Sequence, residues 1–196
     1  TVEAFLQNRH LDLGLRLLAG KKGLKRLIRE PTVNRPGMLL CGFRKYFAGQ
    51  RIQVIGNAEH FYLEGLPEAE RESRLNLLFS QRIPCIVFSR DRRPPDYFLR
   101  RAEVANVPLF ETPQITMKFI NRATLVLDLM FAPTSTVMGS MVDIQGVGVI
   151  IRGESGIGKS ESVLALLERG YCLVADDITC VKLLDGREVM GSSKEL

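Results

Sequence analysis

Eight consecutive residues, Gly153-Glu154-Ser155-Gly156-Ile157-Gly158-Lys159-Ser160, follow the pattern G-x-x-x-x-G-K-S. Each part of that pattern has a chemical use. The glycines let the backbone curl until successive N–H groups face an anion. Lys159 brings a positive charge to the β- and γ-phosphates of a nucleotide, and the Ser160 hydroxyl is placed to ligate Mg²⁺. A plain strand-to-helix turn would account for the glycines, but not for the lysine and serine after them.

Two carboxylates follow, Asp176 and Asp177. Leu173-Val-Ala175 before them and Ile178-Thr-Cys-Val181 after them read as strand interior, where unpaired carboxylates need a purpose. The alternative is a turn built on the Asp pair. A phosphate loop and the carboxyl end of the next strand share one edge of such a sheet, so these side chains can reach the γ-phosphate. One carboxylate could hold Mg²⁺ or a water; the other could accept a proton from an attacking hydroxyl. Neighbouring strand residues face opposite sides, so one of the two is expected in the site.

The elements around these residues have the expected order. Val147–Arg152 reads as a buried strand running into the loop, and Ser160–Arg169 as the helix after it, closed by Gly170. That helix points its positive end at the phosphates. Ser140–Ile144 is a strand turning at Gln145-Gly146. Tyr171–Ile178 and Cys180–Leu184 are two more, the last ending at Asp185-Gly186. Upstream, Val2–Leu18 has helical spacing weakened by Gly14. Asn34-Arg-Pro-Gly37 is a turn, and Arg51–Ile55 is a strand entering a turn at Gly56-Asn57. Glu68–Leu78 and Asp96–Ala105 read as helices, and Ile83–Phe88 and Val107–Phe110 as strands.

This order predicts an α/β protein in which a small three-layer domain, residues 1–130, has no obvious catalytic cluster. The helix Ile115–Met130 joins it to the start of a phosphate-loop domain, residues 131–196, with Pro133 and Thr134-Ser-Thr136 as a hinge loop. The second stretch is short for a phosphate-loop domain, and the chain opens on Thr1. Both suggest a piece of a longer protein.

Composition narrows the class. The 196 residues are 45% hydrophobic and 25% charged, with net charge +5, as in ordinary globular proteins. No apolar run approaches a membrane span and the N-terminus does not read as a signal peptide, so cytoplasm is the expectation. Cys41, Cys85, Cys172 and Cys180 are scattered, and His10 and His60 are the two histidines. Zinc and disulfides are therefore poor readings. Cys85, Cys172 and Cys180 lie in apolar runs and read as buried thiols. The basic groups around Lys21–Arg29 and Arg90–Arg101 are solvated surface or a landing site for an acidic partner. Without interleaved aromatics, nucleic acid is disfavoured.

The sequence also resembles a known family, the bifunctional HPr kinase/phosphorylase of bacterial sugar regulation. In the first domain the resemblance rests on Asn34-Arg-Pro-Gly37, Gly42 with Tyr46-Phe47, and Arg51-Ile-Gln-Val-Ile-Gly56. In the second it rests on Ala132-Pro-Thr134, Val142-Asp-Ile-Gln-Gly-Val-Gly148, Gly153 to Glu161, and Arg169-Gly170 with Leu173-Val-Ala-Asp-Asp177. It implies a protein-serine kinase using ATP and Mg²⁺, or another phosphate donor, to phosphorylate a serine of the phosphocarrier HPr. It also implies a reverse reaction in which inorganic phosphate attacks the phosphoserine and releases pyrophosphate, and assembly as a homohexamer. In that resemblance Lys159 grips the phosphates and Ser160 helps hold Mg²⁺. Asp177 exchanges the proton with the HPr serine, and Asp176 orients the metal or a water.

Two departures stand out. Where the family carries His-Gly, this chain has Met138-Gly139, and methionine cannot exchange protons, which bears first on the phosphorylase direction. The family's second signature also lies beyond Leu196. The rival readings are a phosphate-loop ATPase and a nucleotide-sensing module that transfers nothing to protein.

Overall fold

The computed structural model describes residues 1–8, 11–184 and 186–193. His10 and Asp185, both named above, lie outside the described residues. The chain forms two compact units, Thr1–Met130 and Phe131–Leu196.

The first unit is built on a five-stranded sheet in the order β1-β5-β4-β3-β2. Its strands are β1 (Arg16–Ala19), β2 (Val33–Asn34), β3 (Ile52–Ile55), β4 (Ile86–Phe88) and β5 (Leu109–Glu111). β2 to β5 run parallel, and β1 closes the edge antiparallel to β5. Central parallel strands are covered on both faces and so read as continuous apolar runs. The alternation then sorts residues between two cores. Ile55, Ile86, Phe88 and Leu109 join the helices α2 (Gly37–Leu40), α3 (Asn57–Glu64), α4 (Glu68–Phe79) and α5 (Asp96–Val104). Ile52, Val54, Val87 and Phe110 meet α1 (Val2–Leu6) and α6 (Thr116–Phe131) on the other face. Three layers result.

The helix read over Val2–Leu18 is corrected: it stops at Leu6, and the chain returns as strand β1. Gly14 adopts φ +59, and its N–H is held by Asp12 Oδ1 at 2.8 Å. The turn read at Gly56-Asn57 opens a helix instead. Its first orphan amide, Gly56 N–H, donates to the buried carboxylate of Glu59 at 3.0 Å, and Arg35 braces that carboxylate at 2.7 Å. Such side-chain capping starts a helix where composition suggests a turn.

The second unit contains two three-stranded sheets, β8-β7-β9 and β11-β10-β6. The strands are β6 (Thr134–Met138), β7 (Ser140–Ile144), β8 (Val147–Ile151), β9 (Cys172–Ala175), β10 (Ile178–Leu184) and β11 (Glu188–Ser192), and α7 (Lys159–Glu168) follows β8. The hinge loop read at Thr134–Thr136 is thus a strand, paired antiparallel with β10. The buried-thiol reading holds for Cys85 only. Cys172 is exposed and Cys180 partly so, because one face of these sheets is open.

Candidate functional site

The site is positioned by β7, which runs between β8 and β9 and antiparallel to both. β8 and β9 therefore point the same way and end together. Ile151, the last residue of β8, is in register with Ser140, and Ala175, the last of β9, with Met141. The loop starting at Arg152 and the Asp176-Asp177 pair thus leave the sheet at one edge.

Between β8 and α7 the loop takes the shape its glycines permit. Gly156 and Gly158 sit at φ +79 and +98, where a side chain is strained. Lys159 opens α7 immediately afterwards, and its Nζ donates to the Glu154 carbonyl at 2.5 Å, across the loop. The result is a curled backbone at the positive end of a ten-residue helix, a ready anion cradle. Gly153, Glu154, Ser155, Ile157 and Ser160 complete the predicted phosphate-binding set. Glu154 and Gly153 also line a cleft of about 480 Å³ with Met138 and Arg152. Arg152 Nε donates to the Met138 carbonyl at 3.1 Å, holding the guanidinium stem at that rim.

The two carboxylates do not lie in a strand interior. They form a bend between β9 and β10, with Asp177 at φ +57. Ile178 N–H closes the bend on the Asp176 carbonyl at 2.6 Å, and Gly139 N–H donates to the Asp177 carbonyl at 2.7 Å. Asp176 Oδ1 accepts from Ser140 Oγ at 2.8 Å and from Asp177 N–H at 3.0 Å. The strand reading fails because the chain switches sheets here, and a non-glycine residue tolerates the left-handed region best when it is Asp or Asn. The bend leaves the pair in different surroundings. Asp176 is tied into the sheet, whereas no hydrogen bond or ion pair among the described residues engages the Asp177 carboxylate. Both remain exposed.

Sequence reading named Lys159, Ser160, Asp176 and Asp177 but missed Ser140 and Thr179. The Thr179 hydroxyl, fully buried, donates to the Gly139 carbonyl at 2.8 Å. Neither residue belongs to a motif. The one signal was a small polar residue in the first two positions of a strand, Ser140 directly after Gly139 and Thr179 two residues after Asp177.

Residues 1–127 match the model of the HPr serine kinase N terminus, and residues 129–196 that of the HPr serine kinase C-terminal domain. The chain belongs to the HPr serine kinase family. An HPr kinase/phosphorylase of Leptospira biflexa is 37% identical over 196 residues, 100% of this chain and 61% of that protein. One from Treponema pallidum is 40% identical over 180 residues, 92% of this chain and 56% of that protein. One from Brevibacillus brevis is 39% identical over 180 residues, 92% of this chain and 58% of that protein. The chain spans about three-fifths of the length of these relatives. In this family's chain, Met138 closes β6 directly before Gly139, and its side chain is 67% exposed at the cleft rim. No helix among the described residues is long and apolar enough to cross a membrane.

Proposed function

We propose that the protein is an ATP-dependent protein-serine kinase acting on HPr in the cytoplasm, with a phosphate-dependent reverse activity, and that it works as a homohexamer. The observation that carries this reading is the shared sheet edge. A curled loop with Lys159 at a helix start, and a free carboxylate on the bend after the next strand, flank the same end of β7.

The residues present suit a nucleotide with Mg²⁺. The backbone amides from Gly153 to Lys159 would wrap the β- and γ-phosphates. Lys159 Nζ would exchange its neutral carbonyl partner for a charge-assisted bond to a phosphate oxygen. Ser160, first in line after the lysine, would hold Mg²⁺. Few protein ligands suffice, because Mg²⁺ takes one or two from protein and the rest from phosphates and water. When bound, the ion would neutralise charge building on the transferred group.

The chain's own residues then perform three tasks. The loop fixes the γ-phosphate in line for attack, Asp176 braces the bend, and Asp177 accepts the proton of the HPr serine hydroxyl. The serine oxygen forms a bond to the γ-phosphorus, the bond to the ADP oxygen breaks, and the proton rests on Asp177. In reverse, an oxygen of inorganic phosphate gives its proton to Asp177 and bonds to the phosphoserine phosphorus. The bond to the serine oxygen breaks, pyrophosphate is the product, and Asp177 passes the proton to the departing serine oxygen. Met138 offers no proton at the cleft rim, which favours the kinase direction.

The test is incubation of the full-length protein with γ-labelled ATP and HPr, with and without Mg²⁺. Label on an HPr serine, dependent on Mg²⁺, supports the kinase. Free phosphate alone would identify an ATPase, and bound nucleotide without either product a sensor.

A further inference from the structure

We infer that Ser140 is a positioning residue of the phosphotransfer site, assigning the two carboxylates their separate tasks. The inference rests on the kinase reading above, and its observations are independent of it. Ser140 is buried, the first residue of β7, opposite the last residue of β8 from which the phosphate loop departs. Its hydroxyl donates to Asp176 Oδ1 at 2.8 Å, because a carboxylate can only accept. The same oxygen accepts from Asp177 N–H at 3.3 Å. One hydroxyl therefore touches both acidic residues, at the side chain of one and the backbone of the other.

The consequences are physical. A carboxylate with one oxygen fixed by two donors cannot swing, so Asp176 is confined to a narrow set of orientations. Asp177, held by its N–H and by its carbonyl on Gly139, keeps its carboxylate free while its backbone stays in the left-handed region. Removing the outer partner of a carboxylate that orients a metal typically costs about 10- to 100-fold in metal affinity or activity. Ser140 thus links the root of the phosphate loop to the acid pair through one part-buried hydrogen bond. It lies outside the phosphate-loop pattern and the Asp pair.

The experiment is a double-mutant cycle in the full-length protein, using Ser140→Ala, Asp176→Asn and the double variant, with Ser140→Thr as the conservative replacement. Two readouts are taken: Mg²⁺ half-saturation for binding of a fluorescent ATP analogue, and kcat against KM for HPr phosphorylation. Ser140→Ala is expected to raise the Mg²⁺ requirement about tenfold and to lower kcat more than it changes KM. The double variant should match Asp176→Asn within about twofold, and Ser140→Thr should recover most of the loss. Should Ser140→Ala melt below the assay temperature, Ser140→Cys keeps the size, weakens the donor and should fall between. Wild-type Mg²⁺ dependence in Ser140→Ala, or losses that multiply in the double variant, would overturn the assignment. A wild-type protein that leaves HPr unlabelled would defeat the kinase reading, and the binding readout would still decide Ser140.

Discussion

The backbone N–H of Gly139 donates to the carbonyl oxygen of Asp177 at 2.7 Å, so the residue after Met138 holds the acid pair in its bend. Gly139 itself sits at φ +144, with the Ile151 carbonyl oxygen only 2.7 Å from where a Cβ would stand. That oxygen is backbone at the root of the phosphate loop and cannot easily move. Gly139→Ala is therefore expected to destabilise the protein by about 2 kcal/mol or more. Thermal melts of the two proteins check this; equal midpoints would mean the backbone there is free to relax.

The four thiols should separate by burial. Cys85 is fully buried, and loss of hydration pushes its thiol well above the ordinary range, a rise only partly opposed by Arg26. Thiolate is the reactive form. A thiol reagent added to native protein should modify Cys41 and Cys172 quickly, Cys180 more slowly, and Cys85 only after unfolding. Mass mapping of the modified peptides reads the order, and early labelling of Cys85 would contradict it.

His60 is expected to make stability depend on pH. Burial lowers its pKa, with Glu64 opposing and Arg92 assisting, and its ring packs edge-on against Phe61 and Phe88. The unfolded imidazole takes up its proton near pH 6.5, while the folded one waits for lower pH. Between those values the unfolded state holds more protons, so stability is complete above about 6.5 and is lost as pH falls through the folded pKa. Melting midpoints from pH 8 to pH 5 should fall less steeply for His60→Phe than for the parent. Parallel curves would remove His60 as the cause.

Much of this was legible in sequence, for reasons specific to each element. The phosphate loop shows because its glycines are forced by backbone shape, so pattern and conformation are nearly the same statement. α4, α5 and α6 show because their buried residues recur at helical spacing, and β3 and β4 because they are short runs buried on both faces. What stayed hidden depends on distant partners. β1 exists because Arg16 and Leu17 pair with Glu111 and Phe110, far along the chain, and this overrides a helical spacing of apolar residues. β6 is largely exposed and is a strand only through its pairing with β10. The Asp176-Asp177 bend was hidden by its flanks, both strand-like, since a change of sheet leaves no mark in hydropathy. Glu59 could have revealed α3, standing three residues after Gly56 as a capping carboxylate does.

In the proposed reaction Asp177 moves the serine proton while the loop holds the nucleotide without it. Its most direct test is Asp177→Asn in the full-length protein, assayed in one preparation for ATP binding and for phosphoserine formation on HPr. The variant is expected to keep its Kd for ATP and to transfer the phosphoryl group about 10²- to 10⁴-fold more slowly. Phosphoserine formed by this variant at the wild-type rate would contradict it.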